Sequence, residues 1–136
     1  EGRDKRKKLI EYLRNSFFGG GMNPEQYIEM CEQMGWEVDE SQIPKDPSTF
    51  SFEVQQALTL FNVLPDIIEG MNGLWLGKNY SGLSDIMDIY NVINKREVFE
   101  LLKVAEGEAS KFYSQKRKES ERLAKSQAKS GRAVSG

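Results

Sequence analysis

Histidine is absent from this 136-residue sequence. Its absence removes the commonest general base, the Ser-His-Asp and Cys-His nucleophilic arrangements, and histidine-bearing zinc or copper sites. Cysteine occurs once, at Cys31, so neither an internal disulfide nor a four-cysteine zinc site can form. A single thiol fits a reducing compartment. No apolar run approaches the roughly 20 residues a spanning helix needs. The N-terminus lacks the uniform apolar stretch and small-residue cleavage site of a secretory signal. No segment alternates apolar and polar residues over a convincing strand length, and no internal repeat occurs. These absences predict an all-α protein with no membrane contact, no cofactor and no catalytic centre. An enzyme on this chain would have to work with carboxylates, lysine or a hard metal ion.

What is present is an uneven distribution of charge. The formal net charge is only −2. Residues 1–14 nevertheless carry six Lys/Arg against three acids, and residues 111–136 carry eight against two, net +3 and +6. The segment between holds five basic and sixteen acidic residues, net −11. Such asymmetry points to a large charged partner or to further copies of the chain. The length suits one domain with its own core.

Apolar periodicity divides that domain into helices. Leu9, Leu13 and Phe17, with Ile10 and Phe18 beside them, stripe a first helix over residues 5–18, and Gly19-Gly20-Gly21 stops it. Asn23-Pro24-Glu25-Gln26 reads as a capping box, Tyr27, Cys31 and Met34 as the inner face that follows, and Gly35 as the C′ residue. Residues 36–50 are irregular. Val54, Ala57, Leu58, Phe61 and Leu64 predict the most buried helix over 51–64, and Pro65 ends it or begins a short turn through Asp66–Glu69. Gly70, Gly73, Gly77 and Gly82 punctuate a loop carrying Trp75 and Tyr80. A fourth helix is expected from Ser81 or Gly82 to about Ile93, with Leu83, Ile86, Tyr90 and Ile93 facing inward. Asn94-Lys95-Arg96-Glu97 is a second capping box. The fifth helix has its stripe at Val98, Leu101, Leu102, Ala105, Ala109 and Phe112. Beyond Ser114 the stripe stops although helix propensity stays high, so a helix that continues would run into solvent or onto a partner, roughly 50 Å long if it reached residue 127, and 130–136 reads as a flexible tail. The expected organisation is a basic N-terminal helix and Gly linker (1–22), a helical core (23–113) and a basic helical extension with a flexible tail (114–136).

Several local patterns invite chemistry and do not sustain it. Gly73 and Gly77 enclose three residues rather than four, and Asn79 rather than Ser/Thr follows Lys78, so the loop is not a phosphate-binding P-loop. Asp85 and Asp88 share a helix face that could hold Mg²⁺ only with ligands from elsewhere, and it reads instead as a solvated surface opposite Ile86 and Tyr90. Glu37, Asp39 and Glu40 lack the alternating ligands and glycine of a calcium loop. Cys31 reads as a small core residue.

The basic ends carry the functional signal. Lys5, Arg6, Lys7 and Lys8 at one end, and Lys116, Arg117, Lys118 and Arg122 at the other, with Lys125, Lys129 and Arg132 beyond, fit three readings. They contact a phosphate backbone, they meet the acidic middle of neighbouring copies or an acidic partner, or they are solvated. Leu9, Leu13 and Phe17, as a docking helix, and Trp75 and Tyr80, as loop anchors, are the expected partner-binding residues.

Pro24-Glu25-Gln26-Tyr27-Ile28-Glu29-Met30-Cys31-Glu32-Gln33-Met34-Gly35-Trp36-Glu37 resembles a group of small tailed-bacteriophage proteins. The likeness continues through Phe52-Glu53-Val54-Gln55-Gln56-Ala57, Phe61-Asn62-Val63-Leu64-Pro65-Asp66 and Gly77-Lys78-Asn79-Tyr80-Ser81-Gly82-Leu83, over roughly residues 10–115. The resemblance implies the phage particle or its assembly as the setting and carries over no functional residue. The expectation is a non-enzymatic structural or assembly protein, a tail, neck or baseplate component or a chaperone. It would act on other phage proteins or copies of itself in the host cytoplasm or the virion. The alternative is a DNA-binding packaging or regulatory protein using both basic ends.

Overall fold

The computed structural model describes residues 2–18 and 22–135, with side chains through 129 apart from that of Phe18. The Gly19-Gly20-Gly21 stop, the Phe18 side chain and that of Arg132 lie outside the described residues. Five α-helices and a two-stranded sheet are present among them: α1 (Gly2–Phe18), α2 (Pro24–Met34), α3 (Phe52–Val63), β1 (Asp66–Ile68), β2 (Trp75–Lys78), α4 (Leu83–Ile89) and α5 (Lys95–Ser135). The protein is therefore mainly α, and the all-α expectation is corrected by the hairpin. None of the described helices is long and apolar enough to cross a membrane.

The core is built by α1, α3 and α5. Leu9 and Leu13 of α1 meet Val54, Ala57 and Leu60 of α3 and Val98, Leu101, Leu102 and Ala105 of α5, all buried. The three helices run in the same direction. At one end Lys5 Nζ lies 2.6 Å from Glu97 and 3.7 Å from Glu53, one residue from each of the three helices. Further along, Arg14 of α1 pairs with Glu108 at 3.2 Å, and Phe17 stacks on Phe112 with ring centres 5.0 Å apart. Helix α1 is thus part of the core, because its apolar face at Leu9 and Leu13 completes it.

The Asn23–Gln26 capping box forms as the sequence dictates, whereas at Asn94 only half of the expected box does, because Glu97 Oε2 accepts from the Asn94 side-chain amide and not from its backbone N–H. Gln26 N–H donates to Asn23 Oδ1 at 2.8 Å, Asn23 N–H donates to Gln26 Oε1 at 3.0 Å, and Gly35 closes α2 in the left-handed region at φ 71°. Met34, expected inside, is exposed, because α2 packs only lightly and fully buries Cys31 alone. Residues 36–50 carry two short 3-10 turns, each opened by an aspartate, Asp39 or Asp46. The fourth helix ends at Ile89 rather than Ile93. Asn91 takes φ 54° and turns the chain, leaving Tyr90 and Ile93 exposed. Helix α5 opens on Glu97 N–H donating to Asn94 Oδ1 at 3.3 Å. It runs through the expected tail to Ser135, about 61 Å at about 1.5 Å per residue.

Candidate interaction surface

The segment that replaces the expected glycine loop is an antiparallel hairpin pairing Asp66 with Lys78, Ile67 with Gly77 and Ile68 with Trp75, so that Leu76 is an extra, bulged residue. Glu69 organises its tip. Its carboxylate accepts from Met71 N–H at 2.9 Å and Asn72 N–H at 2.8 Å, and its carbonyl accepts from Gly73 N–H at 2.9 Å.

A buried lysine and two carboxylates hold the hairpin to the helices. Lys78 Nζ lies 2.9 Å from Asp66 Oδ1, donates to the Leu64 carbonyl at 3.2 Å and sits 4.3 Å from the centre of the Phe61 ring. The Lys78 backbone N–H donates to Glu106 Oε2 of α5 at 3.0 Å, and Lys103 Nζ donates to the other Glu106 oxygen at 2.7 Å. The Trp75 indole N–H, then Lys78, holds the Asp66 carboxyl below its ordinary range. Burial pushes the Glu106 carboxyl up, but Lys103, the Lys78 N–H and Tyr80 outweigh it and hold the group low. Burial first, and the neighbouring Glu106 carboxylate second, push the Tyr80 phenol up. Tyr80 is correspondingly not a surface anchor. Its ring is half-buried against Phe99 and lies under Lys103, and its hydroxyl faces Glu106 without a well-formed hydrogen bond.

Trp75 does reach a surface. Its indole N–H donates to Asp66 at 2.9 Å, and its ring stacks on Tyr113 of α5 with centres 4.9 Å apart and planes 24° apart. Beside this stack lies an open groove of about 530 Å³, lined by Leu74, Trp75, Tyr113, Lys116, Arg117 and Leu123 among others. Three residues chosen from sequence, Trp75, Lys116 and Arg117, thus share one site. Tyr113 and Leu123 belong to it as well and carry no signal in the sequence, since Tyr113 lies beside Phe112 at the end of the apolar stripe and Leu123 stands alone on a polar stretch of helix.

The remaining expected residues are dispersed. Leu9 and Leu13 lie in the core and offer no docking face, because α3 and α5 cover them. Phe17 is half-buried against Phe112. Lys5 is tied to Glu97 and Glu53, while Arg6, Lys7 and Lys8 are exposed around it. Glu97 and Lys116 are separated by about 28 Å along α5, so the two basic ends sit at opposite ends of the core. They do not form one continuous cationic surface.

Past Tyr113, α5 leaves the core as an arm whose side chains are exposed on every side from Ser114 to Lys129. At about 100° per residue, Lys111, Lys118, Arg122, Lys125 and Lys129 fall within an arc of about 60°. The arm is therefore striped with cations on one side and carries Leu123 on the other, toward the Trp75 groove. No protein-family model matches the chain, and no curated protein or solved structure is significantly similar to it.

Proposed function

We propose that this chain is a non-enzymatic bacteriophage structural or assembly protein, a tail, neck or baseplate component or an assembly chaperone, that acts through protein–protein contacts. The observation that carries the reading is the arm. A helix that leaves its core and stays polar on all sides but for Leu123 gains almost nothing from self-burial, and bridging to another body is one of the few roles such a helix has. The Trp75–Tyr113 groove at its root adds a partly covered aromatic, the residue class enriched where proteins meet. The buried lysine, Lys78, is already engaged by Asp66, Leu64 and Phe61. The phage setting comes from the sequence segments over 24–37, 52–57, 61–66 and 77–83. It places the protein in the host cytoplasm during assembly, and in the virion if it is retained there.

One observation favours a second reading, a DNA-binding packaging or regulatory protein. The arm's cations are aligned as a phosphate backbone would require, and six such contacts would give log K a slope near about −5 against log salt. A photocrosslinking residue at Leu123, introduced in the native host, separates the two. An adduct digested by protease and indifferent to nuclease is expected. An adduct removed by nuclease would replace the first reading with the second.

A further inference from the structure

We propose that the cationic stripe of the arm docks on α2 of a second copy of this chain, with Lys118, Arg122 and Lys125 set against Glu25, Glu29 and Glu32. This rests on the reading that the chain works through protein contacts, and it names the partner.

Both triplets have the spacing i, i+4, i+7, so in parallel register their axial steps of about 6 Å and about 4.5 Å coincide. On α2 the three glutamates fall within about 60° of arc, on the side opposite Tyr27 and the buried Cys31, and so face away from the core. Among the described residues none of the six side chains makes an ion pair within its own copy. The regional charges match as well. Residues 22–44 hold six carboxylates and no Lys/Arg, net −6, against net +6 for residues 111–136. Ile28 borders the acidic stripe and is exposed, and the aliphatic stems of Lys and Arg provide the cover it lacks. A nucleic acid would meet the same cations. It would also meet a segment over residues 15–110 of net −11 and find the other basic end across the core. A second copy brings the matching carboxylates with it.

Each chain carries one donor and one acceptor face, so contacts either close between two copies or propagate. Exposed ion pairs are individually weak, so the association depends on several acting together and is strongly salt-sensitive.

The test is light scattering on the full chain over a concentration series at about 0.05 M and about 0.5 M salt. Wild type is expected to associate at low salt, with at least about a tenfold weakening at high salt. K118E/R122E/K125E and E25K/E29K/E32K, each checked for helicity, should be monomeric alone and associate when mixed, since the reversed faces then complement each other. A monomeric wild type, or a mixture that stays monomeric, overturns the inference. The Leu123 crosslink keeps the two levels apart. A heterologous protein adduct with monomeric wild type overturns the second copy as partner and leaves the protein-contact reading standing. A nucleic-acid adduct overturns both.

Discussion

The Trp75 ring stacks on Tyr113 at 4.9 Å, joining the hairpin to α5 at the point where that helix leaves the core. The contact fixes the wall of the groove and aims the arm's first turn. Aromatic pairs of this kind contribute about 0.5–1.5 kcal/mol beyond their buried area. Tyr113→Ala is therefore expected to lower unfolding free energy by about 1 kcal/mol. It should also shift Trp75 emission to the red, measured in a Trp36→Phe background because Trp36 is exposed. Unchanged emission would mean that Trp75 is held by Asp66 alone.

Lys78 tests whether the clasp is structural. Lys78→Ala removes the cationic partner of Asp66, leaving it the Trp75 indole N–H, and strands the Leu64 carbonyl beneath the hairpin. A buried polar group left without a partner costs about 1–3 kcal/mol, and urea denaturation should show a loss of that size. Lys78→Met keeps the stem over Phe61 and should recover part of it.

Acid should loosen the same clasp. Asp66 and Glu106 have carboxyls held below their ordinary values of 3.8 and 4.5, so the folded state binds fewer protons than the unfolded one. Their contribution to stability is complete above those ordinary values and is lost as pH falls through the lowered folded ones. Denaturation midpoints are expected to lose this contribution only below about pH 4.5. Asp66→Asn should make the acid fall shallower. An acid limb unchanged in Asp66→Asn would remove Asp66 from the account.

Much of this architecture was legible because helices announce themselves locally. The stripes of α1, α3 and α5, the Asn23–Gln26 box and the Gly35 stop all require only near neighbours. The hairpin did not, because its strands of three and four residues are too short to show alternation and Gly77 interrupts the second. The end of α4 depends on a single positive φ at Asn91, which propensity does not reveal. The stripe of α1 is legible but its destination is not, since Leu9 and Leu13 look the same whether they cover their own core, as they do here, or a partner's. Nothing in the sequence links Trp75 to Lys116 and Arg117. Their proximity depends on a stack between residues 38 positions apart.

Gly77 isolates the backbone's share in positioning the hairpin. It takes φ 136°, and an added Cβ would lie 3.2 Å from the Glu106 oxygen that accepts the Lys78 N–H. Gly77→Ala should destabilise by about 1–3 kcal/mol, the usual cost of forcing a side chain into such a conformation. Gly70→Ala, with open space around it and no positive φ, should stay within about 0.5 kcal/mol of wild type by chemical denaturation.

Hydrogen exchange along α5 should distinguish its two halves within one continuous helix. Val98, Leu101, Leu102, Ala105 and Ala109 are buried, so their amides should open only with global unfolding. The arm has no core beneath it, yet the helix has already been nucleated, so each further residue adds only a propagation step near neutral free energy. Amides beyond about residue 120 should therefore exchange through fraying from the C-terminal end, with protection falling residue by residue toward Ser135. Under dilute, high-salt conditions that gradient is the expected result. Strong, even protection from Ser114 to Lys129 in those conditions would show that the arm is covered even there, by a contact that does not depend on its exposed charges.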